Sequence, residues 1–209
     1  MIGPELIQAL KFSAGGTGPQ FCLPVGKPAF AWMRPVAMQS ARQSKQDVEL
    51  LTKWRNANVG AFLTEFVATQ ARTSAWLAGE FARDDSRILF MLDDDSGETV
   101  GYMGLAYIDW SSGYGEADSI VKGVPTRKGL ATVALTTLID WAKGSLGLST
   151  IGVRVRSDNP ALGFYLKLGF VELRRNAMVR TESCGQVSWH EDTEITSSSP
   201  SLVHMRHLP

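Results

Sequence analysis

Residues 124–135 read VPTRKGLATVAL: a proline, two cations and a glycine, followed by small and apolar residues at helical spacing. Leu130, Ala134, Leu138 and Trp141 continue that spacing, and Val133, Leu135, Ile139 and Ala142 widen the stripe. A helix is therefore predicted over about 128–144, with one face on a sheet. A strand that feeds a turn into a helix N-terminus aims several unpaired backbone N–H groups, and the positive end of the helix dipole, at one spot. Such a spot binds phosphate. Gly129 lets a ligand approach the backbone closely, and Arg127 and Lys128 add charge at the rim. The stretch fits neither G-x-x-x-x-G-K-[ST] nor G-x-G-x-x-G, which argues against a nucleoside-triphosphate loop and a dinucleotide fold.

Upstream, RILFML (87–92), TVGYMGLAYIDW (99–110) and EADSIVKG (116–123) read as three strands joined at the turn signals DDDSGE and SSGYG, an antiparallel meander. Alternation along EADSIVK places Glu116, Asp118, Ile120 and Lys122 on one face. Downstream, TIGVRVR (150–156) turns Ile151, Val153 and Val155 inward, and the intervening helix makes a βαβ unit with parallel strands. SDNPALGFYLKLGF (157–170) starts a short helix capped by Asp158 or Asn159 and stopped at Gly169. VELRRNAMVR and SLVHMRHL read as closing strands around a polar loop, 183–200. Before the meander, FAWMRPV (30–36) is a short strand, and Ser44 with Asp47 forms a capping box for a helix carrying Val48, Leu51 and Trp54. A second helix falls within 70–84, interrupted by Gly79. The fold class is α+β, with a mixed sheet.

The 209 residues are 44% hydrophobic, enough for one substantial core. Lys plus Arg and Asp plus Glu both total 21, so no global field favours nucleic acid or an anionic membrane, and any anion must be held locally. Cys22 and Cys184 are too few for a disulfide framework and suit a reducing cytoplasm. No apolar run reaches the ~20 residues of a membrane helix. The N-terminus lacks the pattern of a secretory signal, and residues 11–28, rich in Gly and Pro, read as poorly packed. Residues 1–32 are thus read as an extension, disordered or added by a mis-assigned start, with Met33 the alternative first residue; 33–209 form the single domain. No metal is expected: DDDSGE lacks the spacing of a calcium loop, WHEDTE is not H-E-x-x-H, and His190, His204 and His207 form no zinc-like set. Arg154 and Arg156 share a strand face that reads as facing water, the other reading being contact with an acidic substrate.

Two motifs in fixed order carry a resemblance. Thr126-Arg127-Lys128-Gly129-Leu130-Ala131 resembles the (Arg or Gln)-x-x-Gly-x-(Gly or Ala) pyrophosphate loop of the GNAT N-acetyltransferases, with Thr126 in place of the usual Arg or Gln. DNPALGFYLKLGF resembles that family's second motif, an asparagine-started helix ending in Tyr-x-x-x-Gly-Phe, here Tyr165, Gly169 and Phe170. The resemblance implies a mostly antiparallel sheet, flanked by helices, whose one parallel pair splays apart to admit the pantetheine arm of acetyl-CoA. It further implies transfer of the acetyl group to a primary amine, with Tyr165 as the acid toward the CoA sulfur and Glu116 as base, Asp118 being second choice. Val121, Lys122 and Gly123 would present a backbone oxyanion donor, while Arg127, Lys128, Gly129, Leu130 and Ala131 would hold the diphosphate and Asn159 would touch the cofactor. LTKWRNANVGAFLT is similar to the Trp-Arg-Asn opening of acetyltransferases acting on amino sugars of nucleotide sugars and on ribosomal-protein N-termini. The expected acceptor is a small amine, an amino sugar ahead of a peptide N-terminus, handled by a monomer or homodimer without nucleic acid or membrane. The competing class is a non-catalytic acyl-CoA-binding module.

Overall fold

The computed structural model describes residues 3–195 and 200–208. The first half holds α1 (Gly3–Ser13), β1 (Leu23–Val25), β2 (Ala31–Pro35), α2 (Lys45–Ala57), β3 (Thr64–Glu65), α3 (Gln70–Trp76), β4 (Ile88–Asp94) and β5 (Thr99–Asp109). Then follow β6 (Tyr114–Lys122), α4 (Leu130–Leu146), β7 (Thr150–Arg156), α5 (Ala161–Lys167), β8 (Phe170–Ser183), β9 (Gln186–Asp192) and β10 (Ser201–His207). The strands make one sheet in the order β1-β2-β4-β5-β6-β7-β10-β8-β9-β3. All pairs are antiparallel except β6 with β7. That parallel pair is in register only from Tyr114↔Thr150 to Glu116↔Gly152, after which the strands part.

The sheet is covered on both faces. On one, Ile7 and Leu10 of α1 and Ala134, Leu135, Leu138 and Trp141 of α4 pack on Phe90, Leu105, Val153 and Val203. On the other, Val48, Leu51 and Trp54 of α2 and Leu77 beyond α3 pack on Leu89, Met91, Tyr102 and Val121. Burying each such aliphatic or aromatic side chain stabilises the fold by about 2 kcal/mol. Ser44 caps α2 by accepting from the Asp47 N–H, and α3 passes into a π-helical turn over Leu77–Phe81, where Gly79 interrupts the pattern.

Residues 3–32, expected as an extension with 11–28 poorly packed, send side chains into the core. Ile7 and Leu10 are in the core, β1 pairs with β2 at Leu23↔Met33, and the buried Lys11 ammonium donates to the carbonyls of Phe81 (2.7 Å) and Asp84 (2.5 Å). The Gly and Pro residues of 11–28 serve the reversals between α1, β1 and β2 rather than a loose tail. Residues 1 and 2 lie outside the described residues.

The polar stretch expected as a loop over 183–200 instead contains β9, paired along its length with β8 and, at Val187 and Ser188, with β3. The reversal is a two-residue turn, Cys184 and Gly185, both at positive φ (50° and 74°). Cys-Gly is not one of the Asn-Gly or Asp-Gly pairs that signal such a turn, and both faces of the hairpin are largely polar. Residues 196–199 of that stretch lie outside the described residues. No helix of the described residues is long and apolar enough to cross a membrane.

A bulge in β6 also departs from simple alternation. Tyr102 pairs with Val121 but Gly104 pairs with Asp118, and Ser119 sits at φ 53°. One extra residue reverses the facing of everything after it. Ala117 accordingly belongs to the core under α4 whereas Val121 belongs to the core under α2. Ile120 packs against the α4 side, so Glu116, Asp118, Ile120 and Lys122 do not share one face as expected.

Candidate active site

Past Glu116 the divergence of β6 and β7 leaves an edge of β6 without a strand partner. The Gly123 N–H, expected as part of the donor edge, is instead committed to the Val100 carbonyl at 2.9 Å. Backbone groups alternate in direction along an antiparallel strand, so the Lys122 N–H points the other way, toward the opened edge. Gly123 has a packing role: a Cβ there would lie 2.0 Å from the Trp54 ring. Trp54 is 2% exposed and stacked on Tyr102, so it is a core residue.

The turn after β6 arrives at Gly129, which caps α4 at φ 87° with nothing within 4 Å of where a Cβ would be. Leu130 N–H folds back on the Arg127 carbonyl and Val133 N–H takes the Gly129 carbonyl. The first-turn amides of Ala131 and Thr132 have no helical acceptor behind them. Arg127 and Lys128 are exposed at the rim, the Arg127 guanidinium lying 4.4 Å over the Phe30 ring. Thr126, Leu130 and Ala131 line a cleft of about 200 Å³ that continues between Ile120, Val121 and Lys122 on one wall and Ala161, Phe164 and Tyr165 on the other. Unpaired donors at an open glycine, leading into an apolar slot, fit a diphosphate with a pantetheine arm.

Tyr165 is 7% exposed, wedged against Phe164 and Phe170, and lines both this cleft and a second cavity of about 400 Å³. Its hydroxyl has no hydrogen-bond partner among the described residues. Burial, and then the charge of Asp118, push its pKa well above the usual tyrosine value, so it holds its proton at neutral pH. Glu116 lies in the second cavity but is fully engaged: Tyr114 donates to Oε1 at 2.8 Å and Arg154 to Oε2 at 2.7 Å. Asp118, two residues on, is exposed to the same cavity and among the described residues accepts only from Ser119, at 2.7 Å. Arg154 and Arg156 do not face water: the first pairs with Glu116, the second with Asp158 and Glu65. Asn159 accepts from the Ala161 N–H at 2.9 Å, holding the start of α5, while lining the second cavity.

The family model described as an acetyltransferase (GNAT) domain matches residues 41–171. The chain belongs to the GNAT acetyltransferase family. No curated protein matches its sequence. Among solved structures it is similar to a spermidine N-acetyltransferase from Vibrio cholerae in complex with CoA and spermine, at 18% identity and TM-score 0.63 over 84% of this chain and 94% of that one. A dodecameric structure of spermidine N-acetyltransferase from Vibrio cholerae, in an intermediate state, is similar at 17% identity and TM-score 0.61 over 85% and 93%. The splayed β6–β7 pair is thus the GNAT fold's one parallel pair, in a mixed open sheet. GNAT proteins use acetyl-CoA, and the match makes this chain an N-acetyltransferase.

Around Trp54-Arg55-Asn56 less was legible in the sequence. Of Trp54-Arg55-Asn56, Trp54 is core, Asn56 clasps the Ala68 backbone at both its N–H (2.8 Å) and carbonyl (3.0 Å), and only Arg55 enters a cavity. Phe62, Phe66, Arg72, Tyr102 and Gln186 join it there from α3, β5, β9 and the segments flanking β3, a convergence no sequence spacing encodes.

Proposed function

We propose that the chain transfers the acetyl group of acetyl-CoA to a primary amine by direct attack of the amine on the thioester carbonyl. Tyr165 carries this reading, because one side chain with a free hydroxyl borders both the apolar cleft and the polar cavity beside it. The amides at Gly129, Ala131 and Thr132, with Arg127 and Lys128, hold the diphosphate, and the cleft wall of Ile120, Val121 and Lys122 receives the arm. The Lys122 N–H on the open edge of β6 donates to the carbonyl oxygen as it gains charge. Asp118 takes the amine proton, directly or through water, and Tyr165 gives its proton to the departing thiolate. We assign the base to Asp118 rather than Glu116, since both Glu116 oxygens are occupied and its pairing with Arg154 supports the strand. Asn159 serves the helix start and borders the cavity.

The Trp54-Arg55-Asn56 likeness favours an amino sugar ahead of a peptide N-terminus, whereas the amines in the solved neighbours' names are spermidine and spermine. The free, exposed Cys22 and Cys184 suit a cytoplasmic protein. Incubating purified protein with acetyl-CoA and a panel of amines tests the reaction: thiol release that requires an amine is expected. Tight CoA binding with no thiol release across the panel would instead mark a non-catalytic acyl-CoA-binding module.

A further inference from the structure

A third cavity, of about 380 Å³, lies between α2, α3 and the sheet and meets the reaction cavity at Phe62 and Ser119, the neighbour of Asp118. Its lining includes Arg55, Arg72 and Arg87 and, among the described residues, no Asp or Glu. Arg87 is neutralised by Asp84 at 2.7 Å. The other two arginines have no carboxylate in contact among the described residues. Arg55 donates to the Thr64 carbonyl at 2.5 Å while its Nη1 is buried with no hydrogen-bond partner, and Arg72 donates to the Gln186 amide oxygen at 3.1 Å. Both guanidinium groups lie over one ring, that of Phe66, at 4.5 and 3.6 Å. Burial lowers the Arg55 pKa, with Tyr102 and Glu65 opposing the shift and Arg72 adding to it, as expected of a cation held away from water. Glu65, next to Phe66 in the chain, is committed to Arg156 and to the Trp189 indole.

Two unneutralised guanidiniums on one aromatic ring are unfavourable alone and suited to a shared oxyanion, which each can grip through charge-assisted hydrogen bonds. We infer that the acceptor amine carries an oxyanion, a carboxylate or a phosphate, bound by Arg55 and Arg72, on an apolar body seated against Phe62, Phe66 and Trp76. This rests on the N-acetyl-transfer reading and gives its acceptor a chemical class. The same charges repel a polycation, so the acceptor differs in kind from the spermidine and spermine of the solved neighbours' names.

The test compares matched amines by thiol release: phenylalanine with phenethylamine, phosphoethanolamine with ethanolamine, and spermidine alone. Within at least one pair, kcat/KM should be ~10-fold or more higher for the oxyanion-bearing member, the pair showing which source of oxyanion is preferred, and spermidine should be the poorer substrate. Arg72→Gln, at an exposed helix position, should erase that preference through KM, and Arg72→Lys should restore part of it. A readout without turnover is binding of 3-phenylpropionate against 3-phenylpropanamide to the CoA-loaded protein, where the anion should bind more tightly and Arg72→Gln should remove the difference. Turnover of amines with no oxyanion preference, or best with spermidine, overturns the inference and leaves acetyl transfer standing. Turnover of no amine overturns the acetyl-transfer reading and the acceptor inference with it.

Discussion

Replacing Tyr165 with Phe removes one oxygen and nothing else. The ring contacts with Phe164 and Phe170, at centroid separations of 5.5 and 5.6 Å, are kept. Because the hydroxyl has no partner among the described residues, its loss leaves no donor or acceptor stranded, and the stability change should stay within ~0.5 kcal/mol. For a chain of this length that is a melting shift of roughly 1–2 °C. The thiolate would then leave without its acid, and loss of a positioned general acid lowers turnover ~10²-fold or more, about 2.7 kcal/mol of barrier. Burial and Asp118 hold the Tyr165 pKa above its usual value, so the acid form persists and its contribution should not fade between pH 7 and 9.5. Thiol release under saturating acetyl-CoA, beside a thermal melt of both proteins, reads these effects together. An unchanged kcat in a protein with an unchanged melt would refute the assignment; a large loss of melting temperature would refute the claim that the hydroxyl is free.

Asp118→Asn should lower kcat ~10²-fold with little effect on the melt, whereas Glu116→Gln should mainly destabilise, by roughly 2–3 kcal/mol, by breaking a largely buried ion pair. The reverse pattern would return the base to Glu116. Gly123→Ala forces a Cβ into the Trp54 ring and should cost ~1–3 kcal/mol of stability, seen in a denaturant melt; a neutral result would mean that this contact is not tight. Burial lowers the Lys11 pKa to about 8, Asp84 opposing the shift and Arg87 adding to it. Between pH 8 and 10.5 the unfolded chain therefore binds more protons than the native one, and the stability contribution at Lys11 rises with pH. The melting gap between the native protein and Lys11→Met should widen in favour of the native protein over that range, and a flat gap would contradict the burial.

Much of this site was legible in the sequence because its parts are local. The Thr126–Ala131 turn, the α4 stripe and the Tyr165–Gly169–Phe170 spacing each depend on residues within a turn or two, where helix geometry dictates the outcome. The bulge at Ser119 was not legible: serine carries no signal for positive φ, and one inserted residue silently reversed the faces of Ile120, Val121 and Lys122. The engagement of Glu116 was also hidden, since its partner Arg154 is 38 residues away on the strand that β6 meets only through the βαβ crossover. β9 escaped because a polar hairpin lacks the alternation that marks a half-buried strand, and the cavity around Arg55 and Arg72 because its lining comes from seven separate segments.

The proposed reaction requires backbone amides around Gly129 to grip a diphosphate so that the attached thioester reaches Tyr165. Calorimetric titration with coenzyme A beside pantetheine, which has the arm and thiol without the diphosphate, tests it most directly. Two charge-assisted contacts at about 1.5 kcal/mol each predict that coenzyme A binds at least ~10²-fold more tightly. Equal affinity for the two, or no heat with coenzyme A, would rule out a diphosphate grip at Gly129.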